Sequence, residues 1–183
     1  MKEFTHISFN VADCRKELRK FQRLLNSSDE LSEQRDLLPF FRKNPSLCAL
    51  IGQLHPMLMV PDLVAHEYDL FGDFTCDLVI GDSVRQTFCF VEFEDAKKDS
   101  IFQKTSGRAT SKWSNRFEQG FSQIVDWMYK LADMEKSDAF ETRFGTRSID
   151  FMGVLIIGRD KYLSASENRR LKWREKFVLI NSQ

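Results

Sequence analysis

Apolar residues recur every three or four positions in two stretches of the chain, residues 10–25 and 113–131. This spacing places the apolar side chains on one face of an α-helix. The apolar positions are Cys14, Leu18, Phe21 and Leu25 in the first stretch, and Trp113, Phe117, Phe121, Ile124, Met128 and Leu131 in the second. We therefore predict an amphipathic helix over each stretch.

Capping patterns predict further helices. Ser27 and Glu30 have the spacing of a capping box, which predicts a second helix that reaches residue 41. Pro39 is expected to kink or end that helix, because proline lacks a backbone donor. Asn44-Pro45 predicts a short helix over residues 45–51. A capping box at residues 164 and 167 predicts a helix that ends near residue 176.

Short runs of β-forming residues occupy the centre of the chain and predict strands. These runs are residues 57–60, 68–71, 74–80 and 86–94, and a turn at Gly81-Asp82 joins the last two into a hairpin. The apolar run 151–157 predicts a strand buried on both faces, and residues 177–180 predict a final strand. This order of elements predicts an α/β fold with a mixed central sheet flanked by helices.

Length and composition narrow the class of protein. The 183 residues, 42% of them hydrophobic, are enough for one domain with its own core. No apolar run approaches the ~20 residues of a membrane-spanning helix, and the amino terminus lacks the apolar segment of a secretory signal. The four cysteines lie in apolar stretches without a C-x-x-C pair, which is typical of reduced core cysteines. We expect a cytoplasmic protein without a disulfide framework or a zinc site.

Charge is segregated along the chain although the net charge is zero, with 27 basic and 27 acidic residues. Residues 62–95 carry nine acids and one base. Residues 97–116 carry six bases and one acid, and residues 159–176 carry seven bases and three acids. Two interpretations stay open: an ordinary solvated surface, or carboxylates that hold cations beside bases that hold phosphates. The balance excludes a generic polycation, so any contact with nucleic acid is expected to be local.

Three carboxylates lie on the predicted hairpin. Glu92 and Glu94 are two residues apart, so both side chains leave the same face of their strand. If the hairpin pairs symmetrically about residues 84–85, Asp77 lies opposite Glu92. Like charges this close repel one another unless a cation neutralises them, which favours Mg²⁺ or Mn²⁺ with oxygen ligands. The alternative is an exposed strand end with solvated carboxylates.

The predicted helices supply further candidates. Arg116, Gln123 and Trp127 have the spacing of residues that share one helix face. Gln123 could join the carboxylates or simply cover the sheet edge. Glu33, on the second helix, could supply a fourth carboxylate.

An aspartate on one strand, E-x-E on the next, and a helix with Q-x-x-x-aromatic together resemble the PD-(D/E)XK nuclease superfamily and its restriction-endonuclease-like core. Several longer segments are similar to the nuclease domain of Shedu anti-phage defence proteins. They read EQRDLLPFFRKNPSL, DLVIGD, FCFVEFEDA, GFSQIVDWMYKL and GVLIIGRDKYLSASENRRLKWREKF. The similarity covers residues 31–179, and it implies a nuclease domain over residues 31–183 after an N-terminal helical extension over residues 1–30.

The resemblance implies a role for each matching residue. Asp77 and Glu92 match the metal-binding acids, and Glu33 matches the first-helix acid that often completes such sites. Gln123 matches the glutamine of the trailing helix motif. Glu94 stands where the lysine of E-x-K usually orients or activates the attacking water. A glutamate there would bind metal or act as general base, or a lysine from residues 97–112 would reach the site instead.

We therefore expect a Mg²⁺- or Mn²⁺-dependent DNA endonuclease with little sequence specificity that acts in anti-phage defence. The residues expected to hold the DNA backbone are Lys97, Lys98, Lys104, Lys112, Arg116, Arg159, Arg169 and Arg170. The resemblance also implies a homo-oligomer. Two alternatives stay open: a nuclease-like domain that binds nucleic acid without cutting it, and a sensing or assembly subunit.

Overall fold

The computed structural model describes the backbone of residues 3–180 and the side chains of residues 3–175. The helices are α1 (Val11–Ser27), α2 (Leu38–Arg42), α3 (Pro45–Gly52), α4 (Asn115–Met134), α5 (Asp138–Phe144) and α6 (Ala165–Ile180). The strands are β1 (Thr5–His6), β2 (Leu63–Leu70), β3 (Phe74–Asp82), β4 (Thr87–Phe93), β5 (Phe102–Gln103), β6 (Lys112–Trp113) and β7 (Asp150–Ile156). A π-helical turn, Glu33–Leu37, leads directly into α2, and a 3₁₀ turn, Asp160–Tyr162, precedes α6.

Five strands form one mixed sheet in the order β1-β2-β3-β4-β7. β4 and β7 are parallel, and the other neighbours are antiparallel. β5 and β6 form a separate two-stranded ribbon. The predicted α/β class with a mixed, helix-flanked sheet is confirmed.

The sheet lies between two helical layers, and its interior strand β4 is buried along its whole length. Phe90 shares an apolar cluster with Trp127 of α4, on one face of the sheet. Phe93 faces the other layer, where its ring stacks on that of Phe41 of α2 with centroids 4.4 Å apart. Because successive side chains alternate across a strand, Glu92 follows Phe90 onto the α4 side.

The hairpin of β3 and β4 has the predicted register. Leu78 pairs with Val91 and Ile80 with Cys89, so the pairing is symmetric about residues 84–85 as expected. Continued by one residue, this register sets Asp77 opposite Glu92. The predicted juxtaposition of these two acids is therefore built into the sheet.

Most predicted helices are present, but the predicted second helix, from Ser27 to residue 41, differs at its start and at Pro39. The predicted capping box does not form, because Ser27 ends α1 and its hydroxyl donates to the carbonyl of Leu24. Leu31 instead forms a β-bridge with Ala96, and the helical backbone begins at Glu33. Pro39 lies in the first turn of α2, where a missing N–H costs little, so it begins this helix and does not end it. The helix after Asn44-Pro45 and the capping box at residues 164 and 167 are confirmed.

Two predicted strands are wrong. Residues 57–60 form turns and irregular backbone, and the buried Asp82 carboxylate accepts hydrogen bonds from the Met59 and Val60 N–H groups. Residues 177–180 continue α6, since a four-residue apolar run suits a helix as well as a strand. The strand at residues 151–157 is present as β7, but it is an edge strand whose residues after Asp150 are only half-buried. Helix α5 was not predicted.

Helix α1 is joined to the rest of the fold by a buried carboxylate. Glu17 is 8% exposed and accepts a hydrogen bond of 2.7 Å from the Leu47 N–H, in the first turn of α3. The Asn44 side chain, which was expected to cap α3, instead donates to the Phe40 carbonyl. Phe21 of α1 also packs against the rings of Phe40 and Phe41. A side chain from another helix therefore caps α3.

The cysteines and the helices were also the subject of predictions from the sequence. All four cysteines are buried and free, as predicted. None of the helices in residues 3–180 has the length and apolar character needed to cross a membrane.

Candidate metal centre

Asp77 and Glu92 meet on neighbouring strands, at the end of the sheet where β3 begins and β4 ends. Their strands pair antiparallel, and the Phe93 N–H donates a hydrogen bond of 2.8 Å to Oδ2 of Asp77. Glu92 is 7% exposed, and its Oε2 is buried with no hydrogen-bond partner among the described residues. A buried carboxylate oxygen without a donor is costly, so this position calls for a cation or a proton.

The raised pKa values of Asp77 and Glu92 also indicate that this pair needs a cation or a proton. Burial raises the pKa of Glu92 to about 9, and the nearby charges of Asp77, Glu94 and Glu33 add to the effect. Burial also raises the pKa of Asp77, against the stabilising hydrogen bond from the Phe93 N–H. Without a cation, the two carboxyls therefore tend to share a proton at neutral pH.

Glu33 approaches this pair from the π-helical turn. Its backbone N–H donates a hydrogen bond of 2.8 Å to Oδ1 of Asp95, just beyond β4, and the Leu31–Ala96 bridge fixes the same crossing. Burial raises the pKa of the Glu33 carboxyl to about 7, with further contributions from the charges of Asp77, Glu94 and Asp95. Glu33 therefore lies in the electrostatic field of the pair.

Glu94 is held by an arginine. The Arg116 guanidinium lies 2.6 Å from Oε2 of Glu94 and 3.4 Å from Oδ2 of Asp95. Asp95 also pairs with Lys97, whose Nζ is 2.7 Å from the same oxygen. The Glu94 carboxylate is thus engaged by Arg116 at the edge of the Asp77–Glu92 pair.

Helix α4 passes close to Glu94 because residue 120 is glycine. A Cβ at Gly120 would lie 3.4 Å from Cγ of Glu94 and 2.9 Å from Cδ1 of Leu155. Gln123, one turn further on, is half-buried and lines an open depression with Glu94. Trp127 differs from the expectation that it shares this surface, since it is fully buried in the core below.

The donor set suits a hard divalent cation, though it is incomplete. Within the described residues, no group of three or more His, Cys, Asp or Glu side chains is arranged to hold a metal ion. Mg²⁺ is commonly bound by one or two carboxylates, with water and substrate phosphate filling the other positions. Asp77 and Glu92, with the unpartnered Glu92 oxygen, meet that requirement, whereas Glu33 and Glu94 stand close by without completing it.

The basic residues expected to contact DNA divide into three groups. Lys98, Lys104, Lys112 and Arg169 are exposed. Lys97 is half-buried and Arg116 is exposed, and both pair with the acids beside the site.

Arg159 and Arg170 already hold parts of the fold together. Arg159 donates to the Leu25 carbonyl, which ties the segment after β7 to the end of α1. Arg170 donates to the Ser111 carbonyl and stacks over the Phe102 ring at 4.7 Å. Charge alone could not distinguish these structural arginines from surface cations.

Two residues of the site were not singled out from the sequence. Asp95 binds Glu33, Lys97 and Arg116, and its signal is a third acid directly after E-x-E. Gly120 allows the close approach of α4, and its signal is a lone glycine inside a strong helical pattern.

Comparison with known protein families adds a decisive match. The sequence model of the family described as "Shedu protein SduA, C-terminal" matches residues 30–183. The chain belongs to this Shedu family. No curated protein sequence matches it.

Membership of the Shedu family confirms that part of the resemblance seen in the sequence. The matched segment contains every candidate residue from Glu33 to Arg170, and helix α1 lies before it. The family match does not by itself establish nuclease activity, a bound metal ion or contacts with DNA.

Proposed function

We propose that this Shedu domain is a metal-dependent DNA endonuclease with a PD-(D/E)XK, restriction-endonuclease-like core. The observation that carries the proposal is the buried, unpartnered Oε2 of Glu92 beside Asp77 on the neighbouring strand. Membership of the Shedu family suggests a role in anti-phage defence. Both the site and the family match support the same function.

Asp77 and Glu92 would hold Mg²⁺ or Mn²⁺, with Glu33 beside them. When bound, such an ion lowers the pKa of its water and offsets charge on a phosphoryl oxygen. Glu94 would accept a proton from the attacking water once its carboxylate is no longer paired with Arg116. Gln123, at the rim of the same depression, would orient that water or the scissile phosphate.

The exposed cations would hold the DNA backbone. Lys98, Lys104, Lys112 and Arg169 lie in the two basic segments, 97–116 and 159–176, and phosphate contacts of this kind carry no sequence information. Little sequence preference is therefore expected. The homo-oligomer implied by the resemblance stays a prediction. Trp113 and Trp127 do not support it, because both side chains pack against apolar clusters of the same chain.

Cleavage of supercoiled plasmid and of linear DNA tests the proposed activity. With purified protein, we expect nicking or linearisation in Mg²⁺ or Mn²⁺, and none in excess EDTA. Cleavage that persists in EDTA would reject metal dependence. The absence of cleavage under every metal and DNA form, together with an intact fold, would reject the nuclease.

A second function is favoured by one specific contact. Glu94 replaces the usual lysine and is neutralised by Arg116, so the domain could bind nucleic acid without cutting it. DNA binding measured by fluorescence anisotropy, with no metal-dependent cleavage in the assay above, would favour this alternative.

The salt dependence of DNA binding tests the phosphate contacts. Changing Lys98, Lys104 and Lys112 together to alanine is expected to weaken binding and to reduce the slope of log affinity against log salt by up to about 3. Lys16→Ala is the control, because that exposed lysine pairs with Asp13 on α1. Equal slopes for the wild type and the triple variant would contradict the assignment.

A further inference from the structure

We propose that Arg116 is a positioning residue that locks Glu94 away from the Asp77–Glu92 pair until a phosphate draws the guanidinium off. This inference rests on the proposed metal centre and adds a mechanism for its assembly. In the structure, the Glu94 carboxylate is held by Arg116 at 2.6 Å and has no other hydrogen-bond partner among the described residues. The third carboxylate is therefore present beside the pair but engaged.

The two partners of this ion pair differ in their access to a ligand. The Glu94 side chain is 10% exposed, whereas that of Arg116 is 43% exposed in the first turn of α4. A polyanion reaching this surface meets the guanidinium first. Arginine binds phosphate through two parallel hydrogen bonds, so a DNA phosphate competes directly for the donors that hold Glu94.

Releasing Arg116 would free Glu94 without leaving Asp95 unpaired. Asp95 keeps Lys97 at 2.7 Å and the Glu33 N–H at 2.8 Å. The Glu94 carboxylate contacts neither of these groups, so it would lose its partner when Arg116 leaves. The exchange therefore acts on one carboxylate selectively, and the crossing between the π-helical turn and the end of β4 stays fixed.

The surroundings give the freed carboxylate a short path to the pair. Glu94 and Glu92 project from the same face of the chain, two residues apart. The charge of Glu94 already acts on both Asp77 and Glu92. At Gly120 the helix has no side chain, and even a single Cβ there would lie 3.5 Å from Oε1 of Glu94. Because residue 120 is glycine, no side chain of α4 stands beside the carboxylate at this point.

A double-mutant cycle read out by Mn²⁺ binding tests the lock. Electron paramagnetic resonance measures Mn²⁺ affinity directly for the wild type, Arg116→Gln, Glu94→Gln and the double variant. We expect Arg116→Gln to tighten Mn²⁺ binding about tenfold when Glu94 is present, and less than about twofold when it is glutamine. A similar factor in both backgrounds, or no tightening, would overturn the lock, because a generic positive charge acts with or without Glu94.

Two further variants separate failure of the lock from failure of the metal centre. Lys97→Gln removes a neighbouring cation that does not touch Glu94, so it is expected to change Mn²⁺ affinity equally in both backgrounds. If Asp77→Asn binds Mn²⁺ as the wild type does, the proposed metal centre is wrong, whatever Arg116 does. Arg116→Lys keeps the charge but loses the fork to Asp95, and an intermediate affinity is expected. Circular dichroism and thermal unfolding check the fold of each variant.

Discussion

Asp77→Asn is expected to reduce metal-dependent DNA cleavage by about a thousandfold, since a lost charged ligand removes about 4 kcal/mol of stabilisation and each 1.4 kcal/mol is a factor of ten. Asparagine keeps the size of the side chain, and its oxygen still accepts the hydrogen bond from the Phe93 N–H. The fold is therefore expected to survive while the site loses a negative ligand. Single-turnover cleavage of plasmid DNA in Mg²⁺ or Mn²⁺ measures the effect.

The matched control is Asp73→Asn in the same acidic segment. Asp73 lies in the turn between β2 and β3 and pairs with Lys130 at 2.6 Å, away from the proposed ligands. This variant is expected to cleave at nearly the wild-type rate. Cleavage by Asp77→Asn at the wild-type rate would show that the carboxylate pair is not the catalytic centre.

Glu92→Gln is expected to stabilise the metal-free protein at pH 8, although it removes a proposed ligand. Burial beside Asp77 raises the pKa of Glu92 to about 9 from an ordinary 4.5, so the folded state holds the proton more tightly than the unfolded state. The stability that this proton confers is complete below pH 4.5 and is lost as pH rises towards 9. Glutamine is neutral throughout, so its advantage grows over the same window.

Urea denaturation in EDTA at pH 5 and pH 8 measures this difference. Relative to Glu92→Gln, the wild type is expected to lose on the order of 2 kcal/mol of unfolding free energy between the two conditions. Mn²⁺ is expected to recover much of that loss in the wild type only. Glu30→Gln, at an exposed position, should follow the wild type. Identical pH profiles for the wild type and Glu92→Gln would contradict the buried, cation-demanding state of this carboxyl.

The central pair of acids could be predicted from the sequence because the interactions that place it are local. β3 and β4 are joined by a short turn, so symmetric pairing about residues 84–85 was enough to set Asp77 opposite Glu92. Alternation along β4 then placed Glu94 on the same side. Both steps needed only the period of a strand and the length of one turn.

The contacts that surround this pair were beyond sequence reasoning because they join distant segments. Arg116 and Glu94 are 22 residues apart, and the Glu33 N–H and Asp95 are 62 apart. Each contact depends on how α4 or the π-helical turn packs against the end of the sheet. A charge pattern shows that acids and bases are present, but it does not show which of them pair.

Short apolar runs were the other source of error. Residues 57–60 and 177–180 have the composition of strands. The first segment is instead irregular backbone whose Val60 N–H donates to the Asp82 carboxylate, and the second continues helix α6. In runs of four residues, helical and extended periods cannot be told apart, so the neighbouring structure decides.

The buried Glu17 carboxylate has a consequence for modularity. Family similarity begins at residue 30, which would suggest that the preceding helix is a removable addition. Yet Glu17 supplies the hydrogen bond that the Leu47 N–H needs inside the matched segment. Shortening the chain to the family boundary would leave that amide without its partner and uncover Phe41, which stacks on the end of β4 beside Glu92. The helix outside the matched segment is thus a structural support for the end of the sheet where the acids meet.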